Sequence, residues 1–313
     1  MKYKHLFGPV PSRRLGVSLG VDLVPLKVCS LNCVYCEVGK TTNLTISRKE
    51  YVNTNEILSE LDNYLSQNPE LDYITFSGAG EPTLHIHIGK IINFIKGKYP
   101  NYKIALLTNS TLFYDDKVVD EIKDVDLILP SLDCVSEDIF IKLNRPARGL
   151  KSADVINGLY NLTKKYNGEM WLEVFFVPDL NDNEKEILLL KDVITKIAPD
   201  RVQLNTLDRP GTASWVTALT KEDLEKIKDM MQPLPVEIIA TFQSRKKIKS
   251  FDEDIQEQIL TAIKRRPCTD EDLTKILSIH INELNKYLSE LLDNKIITTS
   301  QTERGVFYKL NDK

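Results

Sequence analysis

The residues most able to do chemistry are three cysteines within eight positions, Cys29, Cys33 and Cys36. Their spacing is C-x3-C-x2-C, and no fourth cysteine lies nearby. Thiolates so close together can bind one soft metal centre. A cubane of four irons needs four ligands, so three thiolates leave one iron open to a ligand that is not protein. The spacing therefore predicts an iron–sulfur cluster with one reactive corner.

Zinc and disulfides are the alternative uses of the same cysteines. A structural zinc site closes four ligands, so a fourth would have to come from elsewhere in the chain. The distant candidates are His5, His85, His87, Cys134 and Cys268. Disulfides cannot pair all three thiols, and no feature of the sequence marks the chain as secreted. The spacing favours a redox-active cluster and leaves zinc as the alternative.

The cysteine motif resembles the signature of the radical S-adenosylmethionine (radical SAM) superfamily. In that signature an aromatic residue precedes the third cysteine, as Tyr35 does here. The resemblance implies that Cys29, Cys33 and Cys36 bind a [4Fe–4S] cluster and that S-adenosylmethionine chelates the open iron beside Tyr35. It also implies reductive cleavage of the sulfonium to a 5′-deoxyadenosyl radical, and an electron donor of the flavodoxin or ferredoxin type.

The turn after the second predicted strand carries small residues, in the run Ser77, Gly78, Ala79, Gly80 and Glu81. Small side chains let a backbone approach a ligand closely, although a simple tight turn explains the same residues. Beside the cysteine motif, the turn resembles the superfamily's Gly-Gly-Glu element, with Ala79 in place of the first glycine. The resemblance implies hydrogen bonds between this turn and the amino group of S-adenosylmethionine.

Polar side chains stand at the ends of later strands, at Asn109, Ser131, Asp133 and Asn205. Ser131 and Asp133 are two apart, so both point to one face of their strand. Such strand ends hold the ribose hydroxyls or the methionyl carboxylate in the superfamily, which the resemblance implies here; simple strand-end caps are the alternative. Glu173 is a further candidate, and it must be paired, neutral or exposed.

The remaining thiols and histidines are assigned no chemistry. Cys134 follows Asp133, and strand alternation turns it to the opposite face, so we expect a buried thiol rather than a hydrogen-atom donor. Cys268 is expected in a turn. His85 and His87 are expected to pack or to face solvent rather than to bind a metal.

The elements that must position these residues alternate along the chain. From about residue 18 to residue 240, short β-rich runs alternate with helical periodicity, which predicts an α/β fold with a mainly parallel sheet. Right-handed crossovers would curl six such units into a partial (β/α)6, TIM-like barrel with its active site at the C-terminal strand ends. The predicted strands are 18–24, 73–77, 103–108, 127–132, 171–177 and 201–205, with 236–240 as a further one. The predicted helices are 54–66, 87–98, 183–197 and 221–231.

The pattern changes near residue 243, which predicts a barrel at 1–243, a basic linker at 244–250 and a second domain at 251–313. In that domain three helical stretches precede a hairpin, which predicts a winged helix-turn-helix. It contains 12 acidic and nine basic residues. DNA binding is therefore disfavoured, because phosphates must be neutralised by several cations. Docking of a peptide or protein, or a lid over the barrel, fits better.

The composition limits class and location. A chain of 313 residues with 42% hydrophobic content is typical of about two globular domains. A net charge of −4 gives no overall basic field for nucleic acid. The first residues lack the apolar run of a signal peptide, and no stretch is apolar for long enough to cross a bilayer. We expect a cytoplasmic protein without a membrane partner.

Two further stretches bear on the substrate, 7–22 before the cysteines and 143–146 after the fourth strand. Together with the cysteine motif they resemble radical SAM proteins related to the wybutosine-synthesis enzymes, which implies a nucleobase in tRNA. Those enzymes bind a second cluster through extra N-terminal cysteines, and this chain has none there. A peptide or protein substrate docked by the second domain is one alternative. A non-catalytic iron–sulfur regulator is the other.

Overall fold

The computed structural model describes residues 3–12, 14–77, 80–208, 211–239, 253–277, 279–302 and 305–311. Gly78 and Ala79 of the predicted cofactor turn lie outside the described residues, as does the predicted linker at 244–250. Among the helices in the described ranges, none is both long and apolar enough to cross a lipid bilayer.

A mainly parallel sheet dominates the described part of the chain. Its eight strands lie in the order β1-β2-β5-β6-β7-β8-β9-β10. Only the first pair is antiparallel; every later neighbour pairs in parallel. The strand bounds are β1 (Leu6–Ser12), β2 (Gly16–Val21), β3 (Val28–Cys29), β4 (Asn43–Leu44), β5 (Tyr73–Phe76), β6 (Ile104–Thr108), β7 (Leu127–Pro130), β8 (Glu169–Phe175), β9 (Arg201–Asn205), β10 (Val236–Ile238), β11 (Ile297–Thr302) and β12 (Gly305–Leu310).

Helices cover the sheet because their apolar residues recur at helical spacing. The first helix buries Ile57, Leu61 and Leu65, and the Asn53 side chain accepts two backbone N–H groups at its N-terminus. The helix bounds are α1 (Thr54–Leu65), α2 (Ile88–Lys98), α3 (Asp116–Ile122), α4 (Glu137–Leu143), α5 (Ser152–Lys165), α6 (Glu184–Ile197), α7 (Lys221–Met230), α8 (Glu253–Arg265), α9 (Asp270–Leu277) and α10 (Ile281–Asp293). A 3₁₀ turn spans Pro82–Leu84.

The α/β prediction is confirmed, and the parallel order is consistent with the predicted partial barrel. Of the eight strands in this sheet, one was not predicted: β1 forms its edge although it contains Pro9 and Pro11. The two-residue strands β3 and β4, outside this sheet, were not predicted either. An edge strand tolerates proline because one side of its backbone needs no ladder partner. The sequence also gave no bounds for α3, α4 and α5, which lie between residues 116 and 165.

The last elements of the chain form a second unit with its own hydrophobic core. Helices α8, α9 and α10 precede the antiparallel pair β11–β12, which is the predicted order of three helices and a hairpin. Their buried apolar residues, including Leu273, Leu284 and Leu288, form a cluster separate from that of the sheet. We call these elements the C-terminal unit. Its assignment as a winged helix stays a prediction.

Candidate functional site

The cysteine loop follows β2 and meets donors from three different segments. Each of the three sulfurs accepts one side-chain hydrogen bond. Asn109 Nδ2 donates to Cys29 over 3.4 Å, Asn144 Nδ2 to Cys33 over 3.4 Å, and Lys27 Nζ to Cys36 over 3.0 Å. Hydrogen bonds of this kind stabilise negative charge on sulfur. The loop is therefore surrounded by groups suited to thiolates rather than to neutral thiols.

The loop cysteines are free and partly buried. No disulfide joins the cysteines, and burial raises the pKa of the Cys29 thiol to about 12 and that of Cys33 further above its ordinary value. A bound metal centre supplies the positive charge that deprotonates such thiols. Within the described residues no three His, Cys, Asp or Glu side chains converge tightly enough for a single ion. The donor set of three thiols and three hydrogen-bond donors fits an iron–sulfur cluster.

Asp133 organises the residues around the second cysteine, Cys33. Tyr35 Oη donates to its Oδ2 over 2.5 Å, Asn144 Nδ2 to the same oxygen over 2.7 Å, and the Phe175 N–H to Oδ1 over 3.0 Å. The Tyr35 ring stacks on Phe175 with 3.9 Å between centroids. Burial raises the pKa of Asp133 to about 6. Because three protein groups already use this carboxylate, any cofactor contact must share its oxygens.

Asn144 lies just after α4, in a stretch that backs the cysteine loop. The Asn32 N–H donates to its carbonyl over 2.9 Å, and the Val34 N–H donates to the Leu143 carbonyl over 2.9 Å. These backbone hydrogen bonds hold the cysteine loop in place.

Glu81 ties the glycine-rich turn to the end of β6. Its carboxylate is buried and accepts the Thr83 hydroxyl (2.6 Å), the Thr108 hydroxyl (2.8 Å) and the Asn109 N–H (2.8 Å). Burial raises its pKa, and these donors oppose that rise. The Glu81 N–H donates to the Val28 carbonyl over 3.0 Å. The turn is thus bonded to the residue that precedes Cys29.

A cavity of about 330 Å³ lies at the C-terminal strand ends. It brings together Tyr35, Ser77 and Asn205 of the predicted cofactor residues, with Cys36 at its wall. The remaining described candidates lie elsewhere. Asn109, Ser131 and Asp133 border a separate void of about 20 Å³, with Tyr35 between the two spaces. Gly80 and Glu81 belong to the turn that is hydrogen-bonded to Val28, just before the cysteine loop.

Comparison with known proteins decides the family. A family model described as the Radical SAM superfamily matches residues 23–190, which contain all three loop cysteines. The chain belongs to the radical SAM superfamily. The cofactors predicted for it, a [4Fe–4S] cluster and S-adenosylmethionine, are those of the family. The narrower resemblance to wybutosine-synthesis enzymes stays a prediction.

Relatives extend over nearly the whole of this radical SAM chain. It is 31% identical to the UPF0026 protein MJ1312 of Methanocaldococcus jannaschii over 316 residues, which covers 98% of this chain and 96% of that protein. It is 36% identical over 307 residues to a protein named GTPase Obg from Brachyspira hyodysenteriae; that match covers 98% of this chain but only 44% of that protein. A radical SAM methyltransferase from Sphaerobacter thermophilus shares the fold, with 15% identity, a TM-score of 0.56 and coverage of 72% of this chain and 67% of that one.

The two side chains of an ion pair line the cavity of about 330 Å³. Arg14 Nη1 donates to the Glu173 carboxylate, and also to Gln203 Oε1 over 3.2 Å. Both charged side chains border the cavity. Of the alternatives that the sequence left for Glu173, the paired state is the one observed.

Residues of the C-terminal unit also line the cavity. Asn282, Asn285 and Lys286 of α10 line it. His280, which precedes α10, stacks on Phe7 of β1 with 4.2 Å between ring centroids, and its Nε2 donates to the Asp22 carboxylate. Its Nδ1 accepts the Asn282 N–H over 3.0 Å, which requires an unprotonated Nδ1. We call these contacts the latch.

The other reactive residues have structural surroundings. Cys134 is buried, as expected, and its Sγ lies 3.6 Å from Asn144 Oδ1. Cys268 is buried and its backbone pairs with Tyr308. His85 is buried against the Val52 carbonyl, and His87 is exposed, with its ring beside the Thr54 hydroxyl. These placements agree with packing or surface roles.

Lys27 and Asn144 are the residues whose roles the sequence did not reveal. Lys27 is a lone charge in the apolar run Val24-Pro25-Leu26-Lys27-Val28, which is a signal that could have been noticed. Asn144 belongs to the stretch 143–146 that carried the family resemblance, but its contact with Cys33 had no sequence signal, because only the fold brings residue 144 to the loop at 29–36.

Proposed function

We propose that this chain is a radical SAM enzyme in which Cys29, Cys33 and Cys36 hold a [4Fe–4S] cluster. The observation that carries the proposal is the set of three sulfurs, each with its own hydrogen-bond donor, beside a cavity of about 330 Å³. When bound, the cluster and S-adenosylmethionine supply a 5′-deoxyadenosyl radical that removes a hydrogen atom from the substrate. An electron donor of the flavodoxin or ferredoxin type completes the system.

The residues of the chain position and enclose these groups. Ser77 and Asn205 line the cavity and offer polar contacts to S-adenosylmethionine. The stacked rings of Tyr35 and Phe175 line the same cavity. The backbone at Gly80 and the carboxylate of Glu81 fix the turn against the loop. The protein thus orients the cofactors and excludes water, while the cofactors supply the difficult chemistry.

For the substrate we propose a nucleobase in tRNA. This rests on the proposed radical SAM chemistry and on the resemblance at 7–22 and 143–146. The cavity offers the aromatic rings of Tyr35 and Phe175 and the amides of Asn205 and Asn282. Proteins bind extruded bases by stacking on aromatic rings and by hydrogen bonds to the base edge. Four basic residues at 244–250 add charge suited to an RNA backbone.

The reaction class is tested by anaerobic reconstitution followed by iron, sulfide and 5′-deoxyadenosine assays. We expect about four irons per chain and release of 5′-deoxyadenosine under reductant. A Cys36→Ala variant should lose both, and a Cys134→Ala variant should retain the cluster. An intact cluster that yields no 5′-deoxyadenosine with either dithionite or reduced flavodoxin would favour the regulator instead.

The substrate is tested by mass spectrometry of tRNA from a deletion strain. A modified nucleoside that disappears on deletion and returns with the wild-type gene, but not with Cys36→Ala, supports the proposal. Unchanged tRNA, together with a mass shift in a peptide from the same strain, would contradict the proposal and indicate a peptide or protein substrate.

A further inference from the structure

Lys27 is buried beside the cysteine loop. Among the described residues it is the one lysine or arginine in the buried class, with 6% of its surface exposed. Its Nζ lies 3.0 Å from Cys36 Sγ, and it forms no ion pair with a carboxylate in that part of the chain. A buried ammonium without an anionic partner is strongly unfavourable. The position therefore requires negative charge at the sulfurs.

The backbone at this position gives no reason for a lysine. Lys27 has φ of +61°, a left-handed conformation that glycine and asparagine adopt more readily. Its carbonyl accepts the N–H groups of Thr42 (3.1 Å) and Asn43 (3.2 Å), which fixes the residue at the start of the loop. The side chain, rather than the local conformation, accounts for lysine at position 27.

Lys27 also differs from the other two sulfur donors. Cys29 and Cys33 accept their hydrogen bonds from the neutral amides of Asn109 and Asn144. Only the bond to Cys36 comes from a cation, and Cys36 is the loop cysteine that lines the cavity. The positive charge is thus placed on the side of the loop where S-adenosylmethionine would bind.

We propose that Lys27 is a positioning residue for the cluster, whose ammonium bonds the Cys36 sulfur and raises the cluster's reduction potential. The inference rests on the proposed function, because it requires a cluster on these cysteines. Reduction transfers one electron from a flavodoxin- or ferredoxin-type donor and adds one negative charge; no covalent bond forms or breaks. A fixed cation beside a ligand stabilises the more negative state, and charge and hydrogen bonds to sulfur set cluster potentials.

The experiment compares the midpoint potentials of reconstituted full-length variants by anaerobic titration with detection by electron paramagnetic resonance. Iron and sulfide are counted first. Lys27→Met should keep its cluster, and at a fixed solution potential its ratio of reduced to oxidised cluster should fall about tenfold, which equals about 59 mV for a one-electron couple. Lys27→Arg should stay close to the wild type. Lys40→Met removes an exposed lysine four positions after Cys36 and should leave the potential unchanged.

One further variant, Lys27→Asn, separates the possible outcomes. Lys27→Asn suits the left-handed backbone, so it should lower the potential as Lys27→Met does if charge is the cause. An unchanged potential in Lys27→Met and Lys27→Asn with full clusters overturns the inference and leaves the proposed function intact. Loss of the cluster in both, with retention in Lys27→Arg, supports the need for charge; loss in Lys27→Arg as well contradicts it. Failure of the wild type to bind a cluster is a failure of the proposed function.

Discussion

Gly80 packs its backbone directly against the residue that precedes the first loop cysteine. A Cβ at this position would lie 2.1 Å from the Val28 carbonyl oxygen and 2.8 Å from the Val24 side chain. Gly80→Ala should therefore push the loop away, at a cost of about 1–3 kcal/mol for overpacking. We expect lower iron content after anaerobic reconstitution than in the wild type.

The matched control for that prediction is Gly97→Ala in α2. A Cβ at Gly97 meets no atom within 4 Å, and alanine is the better helix former. Iron content in this variant should equal that of the wild type. Equal iron content in Gly80→Ala would show that the loop does not depend on the close approach.

His85 gives the region a predictable response to acid. Its Nδ1 accepts the His87 N–H over 3.1 Å and its Nε2 meets the Val52 carbonyl, so the buried ring is neutral. Burial lowers its pKa below the ordinary value of 6.5. The stability linked to this ring is complete above pH 6.5 and is lost as the pH falls through the lowered pKa.

The test is denaturant unfolding of wild type and His85→Gln at pH 7.5 and at pH 5. The wild type should lose more stability on acidification than the variant, because only the wild type carries the imidazole that must take up a proton. Equal losses in the two proteins would contradict the assignment of a neutral buried ring.

At the residue scale, the sequence predicted the motif but not its support. The cysteines and Tyr35 were recognisable because their spacing is local. Ser77 and Asn205 line the cavity, in keeping with their positions at strand ends, and their cofactor role stays a prediction. The hydrogen bond from Asn144 to Cys33 and the one from Tyr35 to Asp133 could not be predicted. Each joins segments about 100 residues apart that only the folded sheet brings together.

At the scale of elements, the latch joins α10 to the edge of the sheet. The Phe7 ring packs against Gly20, where an added Cβ would lie 2.0 Å from the ring. The same ring stacks on His280. His280→Ala removes this stack, worth about 0.5–1.5 kcal/mol, and the hydrogen bond to the Asp22 carboxylate, worth about 1.5–3 kcal/mol. We expect faster hydrogen exchange in α10 and β1.

Two variants make that prediction specific. Gly20→Ala should give the same faster exchange by displacing Phe7, although it lies far from α10 in sequence. His87→Ala removes an exposed histidine elsewhere and should leave exchange in α10 unchanged. Unaltered exchange in both His280→Ala and Gly20→Ala would mean that the latch does not hold α10 to the edge of the sheet.

Prediction of the elements depended on how local their signals are. Helices α1, α2, α6 and α7 carry apolar residues at regular spacing and were predicted within two residues at each end. Strand β1 was missed because two prolines masked its β pattern, and its pairing with β2 is visible only in the sheet. The pairing of α10 with β1 likewise had no sequence signal.

At the scale of the whole molecule, the core of the C-terminal unit is separate from the apolar clusters of the sheet among the described residues, which predicts two unfolding steps. Leu288 is fully buried in the C-terminal unit, and Leu61 is fully buried in the core of the sheet. Leu288→Ala should destabilise the C-terminal unit by about 2–5 kcal/mol and leave the transition of the sheet unchanged. Leu61→Ala should do the reverse.

Chemical denaturation followed by hydrogen exchange at separate peptides measures the two transitions. A single transition that moves equally in Leu61→Ala and Leu288→Ala would show one cooperative unit instead. The division near residue 243 stays a prediction from the change of composition and periodicity there. A lid over the barrel was among the predicted roles of the second unit, but the residues of α10 that line the cavity could not be predicted, since they depend on contacts between the two ends of the chain.

Those contacts join residue 7 to residue 280, so they also order events during synthesis. Chains emerge from the ribosome with the N-terminus first. The cysteine loop, with Asn109 and Asn144 behind it, is therefore available before α10 has been made. During that interval the cavity lacks the residues that α10 contributes to its lining, so we expect iron and sulfide to reach Cys36 from that side more readily than in the finished chain.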